Sequence, residues 1–303
     1  MKYLPKFEYI APSSVNELCK FLQYHADETR ILAGGTDLLI NLKKGEVTPK
    51  YVVDITRIRE LSSIRDEQNR ISIGATATHT ELSESAFVLS EVPFLAEAAA
   101  SIGSAQIRNS GTIGGNVINA SPAGDTIPPL VALDATVRIV SHKGERRALL
   151  TEIFPGPYKT TLSSDEFLAD ITFTKLSPRA GTCFLKLGRR RALAISRISI
   201  AVILVAGGDG RIQEARICPG AVLPAASRIV KAEEALLGAY PSAEVFQEAG
   251  RIVAGEMVAR SGRRSSTPYK EPVVNNLVQH ALSIAAERCR KGEVQIPGKR
   301  QGL

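Results

Sequence analysis

The chain has 303 residues, 44% hydrophobic and 23% charged, a composition that supports a buried core and excludes disorder as the main state. Lys and Arg outnumber Asp and Glu by 38 to 31, a formal charge of +7. With no Trp and only 5% aromatics, the basic excess lacks the stacking residues of a nucleic-acid surface, and no nucleic-acid partner is expected.

The opening MKYLPKFEYIAPSS has no continuous apolar core of a leader, and the most apolar stretch, Ile198 to Ala206, is too short to span a bilayer. A cytoplasmic chain without a membrane role is the expectation. Cys19, Cys183, Cys218 and Cys289 contain no CxxC, and the four histidines show no paired spacing. That pattern suggests reduced thiols and no metal ligand set.

Ser14 with Glu17 has the spacing of a capping box, and Val15, Leu18, Cys19 and Leu22 follow at helical intervals. A short strand, Thr29 to Ala33, runs into Gly34-Gly35-Thr36. A helix is expected over Asp37 to Lys44, stopped by Gly45. Tyr51 to Ile55 and Ile71 to Ala75 are β-branched and read as strands. Ser90 with Pro93 suggests a helix start, continuing through Phe94, Leu95, Ala98 and Ile102 into the glycine-rich stretch 110–116. Pro128-Pro129 precede a short apolar helix, and Thr136 to Ser141 and Ile171 to Lys175 read as strands. Ser177 to Gly181 is the best linker. Beyond it, Thr182 to Leu187 and Arg197 to Ala206 read as strands, and the turn Gly207 to Gly210 folds Arg211 to Cys218 back. Helices are expected over Ala226 to Leu237, Ala243 to Val258 and Pro272 to Lys291. The basic run Arg189, Arg190 and Arg191 suits either an anionic ligand or a salt-bridged interface.

Two glycine turns carry most of the functional information. In Leu32-Ala33-Gly34-Gly35-Thr36-Asp37-Leu38 a strand turns directly into a helix, so that missing Cβ atoms and helix N-terminal N–H groups suit an approaching phosphate. Thr36 either caps that helix or donates its hydroxyl to the anion, and on this segment alone a plain tight turn is the competing reading. The turn Thr112-Ile113-Gly114-Gly115-Asn116 reads as a second such cradle, with Asn119 and Asp125 nearby for sugar hydroxyls. Two cradles suit a dinucleotide held extended. Neither turn has the G-x-G-x-x-G spacing of the Rossmann fingerprint, and neither is a Walker loop.

In order along the chain stand Phe7-Glu-Tyr-Ile-Ala-Pro12, Ala33-Gly-Gly-Thr-Asp-Leu-Leu39, Val53-Asp-Ile55, Ile73-Gly-Ala-Thr76 and Gln106-Ile-Arg-Asn109. Gly111-Thr-Ile-Gly-Gly-Asn116, Ser121-Pro-Ala-Gly-Asp125, Phe184-Leu-Lys-Leu-Gly-Arg189 and Tyr269-Lys270 follow. Over nearly its whole length the chain resembles the FAD-binding medium subunit of the molybdenum hydroxylases, the family of xanthine dehydrogenase and carbon monoxide dehydrogenase. The resemblance implies an α+β architecture. A p-cresol methylhydroxylase type FAD-binding domain would occupy 1–177, with subdomains of about 1–55 and 56–177. A C-terminal domain, a small sheet covered by helices, would occupy 181–291, and a tail 292–303.

The resemblance also implies site residues. Ile31, Leu32, Ala33, Gly34, Gly35, Thr36, Asp37 and Leu38 would wrap the FAD pyrophosphate. Thr112, Ile113, Gly114, Gly115 and Asn116 would hold it from the other side, with Asn119 and Asp125 along the ribityl chain. Ile102 would pack near the flavin, Leu168 would make an apolar contact, and Lys186 would place a cation by the isoalloxazine, where it would stabilise negative charge on the reduced ring. FAD would be noncovalent, and His79 is not expected to attach it. No side chain of this chain is expected to catalyse. Molybdopterin and [2Fe–2S] clusters would sit only in a molybdenum-binding large subunit and an iron–sulfur small subunit. This chain would pass electrons to NAD or another acceptor. The competing readings are a stand-alone flavin reductase of the same fold and a scaffold that has lost FAD.

Overall fold

The computed structural model describes residues 4–190 and 193–291. Arg191 and the tail 292–303 lie outside the described residues. Strands β1 (Glu8–Ile10), β2 (Thr29–Leu32), β3 (Tyr51–Asp54), β4 (Ile64–Glu67) and β5 (Arg70–Gly74) enclose helices α1 (Val15–His25) and α2 (Leu38–Lys44) in the chain. Six short helices follow: α3 (His79–Glu84), α4 (Ala86–Glu91), α5 (Pro93–Ala100), α6 (Ala105–Ser110), α7 (Ile113–Asn119) and α8 (Ile127–Ala132). Strands β6 (Thr136–Ser141), β7 (Gly144–Leu149), β8 (Phe167–Thr174), β9 (Ala180–Leu187), β10 (Ile198–Ala206) and β11 (Ile212–Gly220) come next. The described chain ends in α9 (Val230–Glu234), α10 (Ala243–Ser261) and α11 (Thr267–Lys291).

These elements form two compact units. One holds the described residues up to Glu81 with Ser104–Ala120 and Ala135–Thr174; the other holds Leu82–Gly103, Ser121–Asp134 and the described residues from Lys175 on. The grouping is not a single cut near 177: α5 packs on β9, and α8 packs on β10 and β11. Sequence order cannot show such pairing, because each of these apolar helices only says that it is buried, not against what.

The first unit contains two sheets. A parallel sheet runs β1-β3-β2, with Ile10 and Ile31 flanking Val53. Its core is built by Leu18 and Leu22 of α1 against Val53, Ile55, Ile58 and Leu61, with Phe167 and Ala169 of β8. Ser14 caps α1 as expected, accepting from the Glu17 N–H. The Glu17 carboxylate reaches past the cap and accepts from Ser13 N–H and Oγ instead of closing the box on Ser14. The second sheet is antiparallel, in the order β4-β5-β8-β6-β7. Strands β1, β4 and β7 carry no strand signal in the sequence. Each is largely exposed, so none has the apolar alternation that announces a strand.

The second unit is the antiparallel sheet β11-β10-β9 covered by α11, on which α10 packs in turn. Ile198, Ile200, Val202 and Leu204 alternate inward from β10 into one core shared with Val278 and Leu282 of α11 and Val253 of α10. Several sequence boundaries move. Ser90 lies inside α4, which Ser85 caps, and Pro93 opens a separate α5. Pro128 and Pro129 sit within the first turn of α8, where their missing N–H groups have no intrahelical partner to lose. The helix expected over 226–237 is reduced to Val230–Glu234, and α11 starts at Thr267 with Pro272 inside its opening turns.

Candidate cofactor site

In the first unit the two glycine turns meet. A Cβ built on Gly34 would lie 2.0 Å from the Ser110 carbonyl oxygen and 2.8 Å from Gly111 Cα. Gly34 is therefore a packing glycine: the backbone leading into α7 occupies the space any side chain would need. Gly35 is a conformational glycine, with φ +68. The chain reverses there and enters α2, whose assigned cap, Asp37, makes no side-chain capping bond.

The turn leaves an array of donors. Among the described residues, none accepts from the N–H groups of Gly34, Gly35, Thr36, Asp37 or Leu38; the first helical bond is Leu39 N–H to Gly35 O. Consecutive unengaged main-chain N–H groups make an anion-binding concavity. Thr36 Oγ1 donates to the Asp37 carboxylate at 3.4 Å, and Asn119 Nδ2 donates to the same carboxylate at 3.1 Å. That ties the end of α7 to the first turn. Asp37 thus presents an acceptor suited to a sugar hydroxyl, not to a phosphate.

The second turn is built differently. Thr112 caps α7, its hydroxyl accepting from Gly115 N–H at 3.1 Å. Ile113 N–H donates to Ala77 O, Gly114 N–H to Ala75 O and Asn116 N–H to Thr112 O. Its donors are engaged inside the protein, so it is not the second N–H cradle expected from its glycines. Gly114 lies against Ala75, where a Cβ would come within 2.6 Å of the carbonyl oxygen. Gly115, by contrast, is exposed, and on its open side a Cβ would meet only its own cap hydroxyl at 2.9 Å. The second turn also carries the half-buried Asn116 and Asn119, the latter tied to Asp37. The buried His79 ring lies against Gly111, and the His79 main-chain N–H donates to Gly111 O. Burial, reinforced by Arg108, lowers the His79 pKa to about 4, so its imidazole is neutral at physiological pH. Leu168 is buried on β8, the strand α7 packs on.

In the second unit three expected residues form another group. Lys186 Nζ pairs with Asp125 Oδ2 at 2.6 Å and donates to Ser101 O at 2.9 Å, one residue from the half-buried Ile102. Ser196 Oγ donates to the other carboxylate oxygen at 2.5 Å. Burial raises the Asp125 pKa, and Lys186 and Ser196 pull it back toward the charged form. Asp125 thereby orients a nearly buried ammonium. Nothing in the sequence marks Ser196 or the Ser101 carbonyl: Ser196 is one serine among many until the approach to β10 brings it to Asp125. Arg190 folds onto its own loop, both Nε and Nη2 donating to Leu193 O. Among the described residues no group of three or more His, Cys, Asp or Glu is placed to hold a metal.

These features define a two-unit α+β chain without a Rossmann fingerprint, with a glycine turn of unengaged donors in one unit and a carboxylate-held lysine in the other. Residues 5–174 match the family described as the FAD binding domain in molybdopterin dehydrogenase, and residues 184–285 match the CO dehydrogenase flavoprotein C-terminal domain. The nicotinate dehydrogenase FAD-subunit of Eubacterium barkeri is 34% identical over 89% of this chain and 93% of its own. The carbon monoxide dehydrogenase medium chain of Hydrogenophaga pseudoflava is 31% identical over 94% of this chain and 99% of its own. A solved structure of the Hydrogenophaga pseudoflava enzyme superposes with a TM-score of 0.88 at 32% identity, covering 95% of this chain and 99% of that one. The chain belongs to the FAD-binding medium-subunit family of the molybdenum hydroxylases, and it is an oxidoreductase flavoprotein component.

Proposed function

We propose that this chain holds FAD noncovalently and works as the electron-transfer subunit of a molybdenum-containing dehydrogenase. The observation that carries the reading is that none of the described residues accepts from the five N–H groups at residues 34–38, while Gly115 of the adjoining turn is exposed. The first turn binds the pyrophosphate through its main chain, which neutralises the anion without a lysine or arginine. The second turn supplies the adjoining surface through Gly115, Asn116 and Asn119, while Thr112, Ile113 and Gly114 fix it in place. Asp37 and Asn119 accept and donate to sugar hydroxyls.

Ile102, Leu168, Asp125 and Lys186 are the remaining contacts we assign to the cofactor. Asp125 holds the Lys186 ammonium in one orientation, and that fixed cation would favour negative charge on the reduced ring. Bound FAD supplies the conversion between single-electron delivery, from a [2Fe–2S] small subunit, and paired delivery to NAD or another acceptor. Substrate oxidation belongs to a molybdenum-binding large subunit, since no side chain of this chain is assigned acid, base or nucleophile. The medium-chain names of the relatives and the coverage of nearly their full length support those partners. We place the chain in the cytoplasm: all four cysteines are free, and burial pushes the Cys183 thiol up to about 12, which leaves it inert. No helix among the described residues is long and apolar enough to cross a membrane.

The test is an absorbance spectrum of the purified full chain with competition by ADP and by riboflavin. Stoichiometric FAD displaced by ADP, which shares the pyrophosphate, and not by riboflavin is the expected result. A colourless protein that cannot be reconstituted with FAD overturns the reading. Anaerobic NADH then tests the acceptor: bleaching supports a pyridine nucleotide, and no bleaching removes NAD from the proposal.

A further inference from the structure

Tyr269 and Lys270 stand in the first turn of α11, far along the chain from Asp125 and with no role in the site described above. Each nevertheless leads to it. The Lys270 ammonium donates to Ala221 O at 3.1 Å. Ala221 follows β11 with φ +61, a left-handed conformation that a residue with a Cβ holds only when its surroundings impose it. Its N–H donates to Pro122 O at 2.8 Å, three residues before Asp125. The preceding Gly220 lies so close to Pro128 that a Cβ would stand 2.6 Å from the ring. The segment carrying Asp125 is therefore gripped at both ends, 122 and 128, by the end of β11, and Lys270 locks that end.

Tyr269 reaches the opposite arm. The Arg197 guanidinium lies over its ring, 5.1 Å from the centroid. Arg197 follows Ser196, the residue that donates to Asp125, and its N–H donates to Leu187 O, beside Lys186. One dipeptide thus holds the two segments whose side chains converge on a single buried carboxylate.

We propose that Tyr269 and Lys270 are the positioning pair of the Asp125–Lys186 centre, fixing the carboxylate through Ala221 and Pro122 and its serine partner through Arg197. They touch neither the carboxylate nor the ammonium. Their effect on the flavin rests on the assignment of that centre to FAD made above. Half-buried Lys270 also has a lowered pKa, through burial and the neighbouring Arg197 and Arg264, which is consistent with an ammonium retained there for one specific acceptor.

The experiment uses the full chain loaded with FAD and reads FAD dissociation, the flavin midpoint potential and the unfolding midpoint. Lys270→Met and Tyr269→Leu are expected to lower the flavin potential and to weaken FAD binding about tenfold, or roughly 1.4 kcal/mol. Lys270→Arg and Tyr269→Phe, which keep the donor and the aromatic face, are expected to restore both. Should Lys270→Met fail to fold, Tyr269→Leu and its Phe rescue decide the matter by the same readouts. An unchanged potential and FAD affinity in Lys270→Met or Tyr269→Leu, while Asp125→Asn shifts them, overturns the positioning role alone. Loss of stability with no shift in potential, or no rescue by Arg and Phe, overturns it too. If Asp125→Asn leaves the flavin untouched in a yellow protein, it is the assignment of the centre to FAD that fails.

Discussion

The two glycine turns look like repeats of one device in the sequence, and the structure makes them opposites. Around Gly34-Gly35 none of the described residues accepts from the main-chain N–H groups, and one glycine supplies a positive φ. Around Gly114-Gly115 the N–H groups are satisfied by Ala75, Ala77 and the Thr112 cap, and neither glycine needs an unusual φ. A glycine pair at a helix start therefore has at least two physical meanings. It permits a strained turn with free donors, or it permits close packing of a helix on a strand. Only the first leaves donors for an anion, and in the function proposed above the second supplies a wall to that site.

The largest effect expected from this contrast is at the contact between the turns. Gly34→Ala drives a Cβ into the Ser110 carbonyl, so it should cost about 3 kcal/mol or more and disturb both turns. Urea unfolding of the variant measures it, and a loss below ~1 kcal/mol would mean that the turns are not packed as described. For the same reason a Gly34 variant that loses FAD says little about phosphate binding.

Next in size is a pH effect confined to the second turn. His79 is buried neutral with a pKa near 4. Unfolded histidine titrates near 6.5, so between these values the unfolded state binds the extra proton. Stability is then fully present above about pH 6.5 and falls as pH drops toward 4, by at most about 3 kcal/mol. His79→Gln should flatten that part of the stability-against-pH curve. A variant with the wild-type slope between pH 6.5 and 4 would place the titration elsewhere.

The caps should separate the turns more finely. Thr112→Ala removes the bond to Gly115 N–H and is expected to cost roughly 1 kcal/mol. Thr36→Ala removes no capping bond, and its thermal unfolding should stay within ~0.5 kcal/mol of wild type. Smallest of all is Gly115→Ala. Its helix-propensity gain of about 1 kcal/mol offsets the disturbed cap, so stability hardly changes. FAD retention on gel filtration should nonetheless fall, because the new methyl sits on the open face. Unchanged retention would remove that face from the binding surface.

Much of the first turn was legible from sequence because its physics is local. A strand over Thr29 to Ala33, which the structure ends at Leu32, two glycines and a helix stopped by Gly45 are written in consecutive residues, and the structure shows φ +75 at that stop. The donor state of the second turn was not legible, since its acceptors, Ala75 and Ala77, lie some forty residues upstream. Asp125 and Lys186 are legible only singly, through the family resemblance. Their 2.6 Å pairing, and the Ser196 bond that completes it, depend on β9 and β10 aligning Lys186 with Ser199.

By itself, then, the sequence determined the class of the chain, its principal apolar strands and long helices, and the ordered motifs that mark it as a flavin-binding medium subunit. Side-chain periodicity and turn chemistry act over a few residues, and such information survives in one dimension. Tertiary structure alone decided which N–H groups are free, which glycines are there for packing, and how Tyr269 and Lys270 reach the segments around Asp125. Each of these depends on which distant backbone atom fills a given space, and hydrogen bonds and close packing are decided by that occupancy, not by residue type.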